Sequence, residues 1–169
     1  MKTMKTVLAI AALLVAGGLR AASGGGKSCE ALKVSSDGDP GHGRANFSVT
    51  NDTQLYFHLI VPPSAQVDAK DMVTIHLTTP HGQHYQKIDL PVAPAGSTEK
   101  QRSVPGYSFP LKVQHFAGTK LNGQGAQHVF GTIPVAGTYL EQFSLYGRWT
   151  AEAQLGDGSP CSTSFTVGQ

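Results

Sequence analysis

Trp149-Thr-Ala-Glu-Ala-Gln-Leu155, Gly156-Asp-Gly-Ser-Pro160, Cys161-Ser-Thr-Ser-Phe-Thr-Val167: the closing stretch of the chain alternates apolar and polar residues, turns, and alternates again. Trp149, Ala151, Ala153 and Leu155 fall on one face of the first run, and Cys161, Thr163, Phe165 and Val167 on one face of the second. A period of two belongs to a half-buried strand, and a Gly-Asp-Gly-Ser cluster between two such runs marks a β-hairpin.

Moving outward, the same period recurs. Gln54 to Val61 places Leu55, Phe57, Leu59 and Val61 on one face and Tyr56, His58 and Ile60 on the other, and Pro62-Pro63 ends the run. Met72 to Thr78 presents Val73, Ile75 and Leu77 together, and Thr79-Pro80-His81-Gly82 turns the chain into Gln83 to Val92. With His81 and Gly82 at the centre of that turn, Ile75 faces Ile88 and Val73 faces Leu90, the register that matches the apolar faces. Further strands are expected at Cys29 to Val34, Tyr107 to Phe116, Gln127 to Ile133 and Thr138 to Tyr146, and a loop over Asp37 to Gly43. No segment sustains a helical period, so the predicted class is all-β, with two packed sheets.

The first residues predict an address. Lys2 and Lys5 precede an uncharged, mostly apolar run from Thr6 to Leu19, and Arg20-Ala-Ala-Ser23 offers small residues for cleavage, the pattern of a secretory signal peptide over 1–22. A Ser/Gly-rich lead-in over 23–28 and one domain over 29–169 follow. The apolar run is shorter than a bilayer-spanning helix requires, so no membrane insertion is expected once the leader is removed. Removal also takes Lys2, Lys5 and Arg20, leaving 10 basic against 11 acidic residues without a basic cluster, so no nucleic-acid partner is expected.

Two cysteines occur, Cys29 and Cys161, near the two ends of the 29–169 domain. In an oxidising compartment they are expected to pair with each other, since a metal-thiolate or redox couple calls for short spacing.

The segments Pro134-Val-Ala-Gly-Thr-Tyr139 and Leu145-Tyr-Gly-Arg-Trp-Thr150, with Cys161, Phe165-Thr-Val167 and the turn Thr78-Thr-Pro-His-Gly-Gln83, resemble secreted bacterial immunoglobulin-like modules, including YtkA-like domains. The resemblance covers about a third of the chain. It implies a two-sheet immunoglobulin-like β-sandwich and no particular activity.

Motifs for chemistry are sparse. Ala21 to Ser28 matches a relaxed phosphate-loop pattern, but the strand and helix that such a loop needs are absent from its context. Asp37-x-Asp39 lacks the later ligands of a calcium loop and reads as turn-forming acids. Gly106-Tyr-Ser108-Phe-Pro110 lacks the second glycine of a nucleophile elbow. The sequons at Asn46 and Asn51 matter only in a eukaryotic pathway, whereas the leader and the resemblance look bacterial.

The seven histidines form the main chemical feature, and His58, His76, His81 and His84 are the candidate ligands for copper or zinc. In the hairpin register above, His76 lies about 16 Å from the turn carrying His81, so His76, His81 and His84 do not converge. His81 with His84 is one candidate pair. His58 with His76 is another, provided their strands are neighbours in one sheet. Solvated histidines are the competing reading, and no H-E-x-x-H motif or Met-rich segment accompanies them. Tyr56, Tyr85, Tyr107, Phe109, Tyr139 and Tyr146 are candidates for protein or carbohydrate contact, with ordinary core packing of several of them as the equal competing reading.

The expectation is a non-catalytic, exported binding or structural module of the periplasm or cell surface, without a cofactor, whose partner is a protein or surface polymer. The alternative is periplasmic copper or zinc binding through surface histidines.

Overall fold

The computed structural model describes residues 27–121 and 124–169. The expected leader and most of the lead-in lie outside the described residues. The described strands are β1 (Ala31–Ser35), β2 (Asn46–Ser48), β3 (Gln54–Val61), β4 (Met72–Thr78), β5 (His84–Ala93), β6 (Gln101–Arg102), β7 (Leu111–Lys112), β8 (Gln114–His115), β9 (Ala117–Leu121), β10 (Gln124–Pro134), β11 (Gly147–Leu155) and β12 (Cys161–Gly168), with a helical turn α1 (Tyr139–Gln142).

The strands form a four-stranded sheet in the order β1-β3-β10-β9 and a six-stranded sheet in the order β2-β12-β11-β4-β5-β8, while β6 and β7 pair separately. This is the strand order of an immunoglobulin sandwich: one sheet A-B-E-D, the other G-F-C-C′, with β2 added to the second sheet beside β12 and the short β8 added parallel to β5 at its other edge. The β2–β12 pair is parallel, because the chain crosses from one sheet to the other after β1 without reversing direction.

The closing hairpin pairs as its alternation predicts, Trp149 with Phe165 and Ala151 with Thr163. Leu55, Phe57, Leu59 and Val61 of the first sheet join Ile75, Leu77, Trp149 and Phe165 of the second in one core. Phe57 and Phe165 meet across the gap with ring centroids 5.6 Å apart. The buried Trp149 ring packs 6.2 Å from Phe165 and donates its Nε1–H to the Leu145 carbonyl at 2.9 Å, so no polar atom of the ring is stranded. Gly131 sits on the inner face of β10 where the sheets approach closely. A β-carbon there would lie 3.1 Å from Ile75 Cδ1 and Ile88 Cγ2.

Cys29 and Cys161 form a disulfide with their Cα atoms 5.7 Å apart. Cys29 precedes β1 and Cys161 opens β12, so the bridge ties the two sheets together. Lys27, inside the 23–28 segment, is anchored too: its Nζ lies 2.8 Å from Asp71 Oδ1 and 2.9 Å from Asp68 Oδ2.

The β4–β5 register is Ile75 with Ile88 and Val73 with Leu90, as the apolar faces require. At the turn, Gly82 N–H donates to the Thr79 carbonyl and Gly82 has φ of 76°, which makes Pro80 and His81 the central residues and adds a bulge. Leu77 then faces Gln86 and Thr78 faces His84, so Tyr85 is the extra residue. A bulge re-aims a side chain. Tyr85 accordingly packs edge-on against Trp149 at 5.0 Å, so of its two readings, surface contact or core packing, the second holds.

Two expected strands are different in the structure. Thr138 to Tyr146 holds α1, because only Leu140 of this stretch is fully buried. A single inward residue suits a helical turn better than a strand with one face on the core. Its end is a Schellman motif, in which Leu145 N–H donates to Leu140 O and Ser144 N–H to Glu141 O, with Ser144 at a φ of 50°. Tyr107 to Phe116 is broken by Pro110 into an irregular segment followed by β7 and β8, since proline donates no ladder hydrogen bond.

Candidate functional site

On the outer face of the first sheet, β3 and β10 carry Tyr56, His58, His128 and Phe130. This face should meet solvent, yet His58 is 0% and His128 8% exposed. The cover is the segment after β1. Its 3-10 turn, Pro40–His42, touches both β1 and β9, the two edges of this sheet, and so spans β3 and β10 between them. The acids of the Asp37–Gly43 loop build that turn as anticipated: Asp37 Oδ1 accepts from Asp39 N–H at 2.9 Å and Asp39 Oδ1 from Gly41 N–H at 2.7 Å. Asp37 Oδ2 also lies 2.8 Å from His42 Nδ1. That contact lowers Asp37 below the usual carboxylate range, second to the Asp39 backbone bond, and raises His42 above the usual imidazole value.

Beneath the turn, the hydroxyl of Ser35 donates to the Asp37 carbonyl. Ser35 has one hydrogen, so its oxygen accepts from His58 Nε2–H at 2.8 Å, which fixes the tautomer of His58. Nδ1 of His58 is then a bare lone pair, buried and without a partner among the described residues. His128 stands opposite Ala117 of β9, and its Nδ1 is likewise buried and without a partner among the described residues. The two rings lie 5.5 Å apart, and Phe130 lies 5.5 Å from His58 and 6.4 Å from His128. Burial pushes His58 down to about 4, with the neighbouring His128 adding to the effect, and burial lowers His128 as well. Both rings are neutral at pH 7.

The Ser35–His58 contact does not make an activated nucleophile. The serine proton points to the Asp37 carbonyl rather than to the imidazole, and Ser35 is 0% exposed, so no substrate carbonyl reaches it.

His58, expected on a surface strand, is therefore buried, and its proposed partnership with His76 is overturned. β3 and β4 belong to different sheets, because the Pro-rich connection crosses between them. His76 instead meets His84, with ring centroids 6.0 Å apart on the outer face of the second sheet. The bulge explains the pairing, since it turns His84 to the side that His76 occupies. His81 stands exposed in the turn. Among the described residues, no group of three or more His, Cys, Asp or Glu side chains is placed to hold a metal ion. The role of His128 had no sequence signal beyond its residue type, because its neighbour His58 comes from a strand distant in the chain.

Elsewhere, the stacked rings of Tyr139 and Phe143 stand 67% and 66% exposed on α1, with centroids 5.6 Å apart. Phe109 is 80% exposed on the segment before β7. A surface cavity of about 450 Å³ lies beside β4 and Arg102. Its guanidinium is committed to Glu99 and to the carbonyls of Asp71 and Val92, which leaves little capacity for an anionic ligand. Among the described residues, no helix is long and apolar enough to cross a membrane.

No family model, no curated protein and no solved structure matches the chain.

Proposed function

We propose that this protein is a non-catalytic, exported binding module of the bacterial periplasm or cell surface, of the YtkA-like kind that its closing motifs resemble, and that it engages a protein or surface polymer. The observation that carries the reading is the Tyr139–Phe143 pair. Leu140, at 0% exposure, anchors α1 in the core, while the two rings beside it are held out in a fixed stack. Rigid, exposed aromatics supply contact area with little ordering cost, and such residues are enriched in binding interfaces. The inter-sheet disulfide suits an oxidising compartment. Capture of copper or zinc by surface histidines is the alternative, and it rests on the His76–His84 pair alone.

The test compares the parent with a Tyr139→Ser/Phe143→Ser variant, whose fold the exposed positions leave intact, in retention of cell-envelope proteins and isolated wall polymers. Retention by the parent and its loss of at least tenfold in the variant is expected. Equal retention by both, or none by either, overturns the reading.

A further inference from the structure

The 36–43 turn rests on two imidazoles that it can cover only while they are neutral. Asp37 and Asp39 shape the turn from within, and the Asp37–His42 contact closes it, so its form does not depend on the sheet below. Its hold on the sheet is of another kind. Pro40 is buried, and Ser35, which donates to the Asp37 carbonyl, accepts from His58 Nε2–H at 2.8 Å. The Nδ1 atoms of His58 and His128 are buried without a partner among the described residues. A neutral imidazole can leave one nitrogen bare, but an imidazolium carries N–H on both. Protonating either ring beneath the turn would bury a charge together with a donor that lacks an acceptor, and lifting the turn gives both to water.

The neighbours of His58 set the balance. From the turn, Asp37 and Asp39 favour its protonated form, while His42 is engaged with Asp37. From β1, Lys33 stands opposite His58 on the same face and opposes protonation. From β10, Phe130 lies directly opposite, and His128, its ring 5.5 Å away, also opposes it. Tyr56 of β3 stacks on the ring, and β9 sets Ala117 opposite His128. Desolvation outweighs the two acids, which is why His58 is held down to about 4.

We propose that the 36–43 turn is an acid-released cover: protonation of the His58–His128 pair lifts it from β3 and β10 and bares the face formed by Tyr56, His58, His128 and Phe130, while the sandwich stays folded. The core is untouched by such a motion, because Leu55, Phe57, Leu59 and Val129 of the same strands point to the inner face. Once uncovered, both histidines return toward the ordinary imidazole value of 6.5. The sign follows from linkage. The cover is fully held above about pH 6.5 and loses its hold as pH falls toward 4, where His58 becomes charged even beneath it. From pH 7.5 to 4.5 the opening equilibrium should rise about 50–100-fold from His58 alone, and His128 adds to that. This face is separate from the Tyr139–Phe143 pair on α1, so the device does not rest on the binding role given to those rings.

Amide hydrogen exchange of the oxidised protein at pH 7.5 and 4.5, corrected for intrinsic rates, tests this directly. The reporters are the Gly43 and Arg44 amides, which donate to the Pro40 and Val34 carbonyls, and the controls are the Ile75 and Ala151 amides in the second sheet. The expected result is a loss of protection of at least 30-fold at the reporters and less than fivefold at the controls, with the imidazole resonances of His58 titrating in the same window. A His58→Leu/His128→Leu variant should hold its reporter protection across that range. A His42→Gln variant, altered on the exposed side of the turn, should lose it as the parent does. Should the double variant not fold, the exchange and imidazole titration of the parent decide alone. Reporter protection that is unchanged at pH 4.5, or that falls only in step with the controls, overturns the proposal, as does a loss that persists in the folded double variant.

Discussion

Replacing Cys29 and Cys161 together by serine removes a bridge that spans 132 residues of sequence. Closing a loop of that length lowers the entropy of the unfolded chain by about 17 cal/mol/K in the chain-entropy description, or about 5 kcal/mol at 25 °C. The folded state should change little. β1 keeps its ladder to β3 from Ala31–Ile60 to Ser35–Tyr56, and Leu32 and Val34 remain in the core. Residual structure in the unfolded chain reduces the effect, so an observed loss of about 3–5 kcal/mol is expected. Urea unfolding followed by the fluorescence of Trp149, the sole tryptophan and fully buried, measures it. Because the effect resides in the unfolded ensemble, the denaturant slope should rise when the bridge is removed, as the released chain exposes more surface. A loss below about 1 kcal/mol with an unchanged slope would refute the reasoning and place the bridge's role outside thermodynamic stability.

Three further outcomes are expected. Gly131→Val drives branched carbons into Ile75 and Ile88, and should cost about 1–3 kcal/mol by overpacking; parental stability in thermal melts would mean that the sheets are not in contact there. Ser144→Gly relieves a left-handed residue at the end of α1 and should add about 0.5–1 kcal/mol, whereas a loss in chemical denaturation would show that the serine side chain is needed. Asp89 is held below the usual carboxylate range. Burial opposes this, but hydrogen bonds from Lys87, Tyr107 and Thr74 prevail. A depressed carboxylate contributes stability above its unfolded value near 3.8, and that contribution is lost as pH falls through the folded value. Asp89→Asn should therefore cost about 1.5–3 kcal/mol at pH 7 and show a flatter stability profile than the parent between pH 4 and 2; parallel profiles would remove Asp89 as a source of acid sensitivity.

Much of the sandwich was legible because strand periodicity is local. The alternation from Trp149 to Val167 contains its own hairpin, and the apolar match of Ile75 with Ile88 sets the β4–β5 register without reference to the rest of the chain. The site was less legible for the same reason. His58 stands on the polar side of an alternating strand, and alternation says which side a residue takes but not what later covers it. The cover comes from Pro40 and its neighbours, loop residues with no periodic signal. Tyr85 and His84 exchanged faces through one bulged residue, whose cause is the geometry of the Pro80–His81 turn rather than hydrophobic pattern.

By itself, the sequence determined the all-β class, the closing hairpin and the pairing of the two cysteines, since each follows from local alternation, turn chemistry or the simple availability of one partner. Only the tertiary structure decided that β3 and β4 lie in different sheets, separating His58 from His76, and that β10 brings His128 to His58. Those are pairings between distant segments, selected by how two sheets bury a shared core, and no short stretch of chain carries that information.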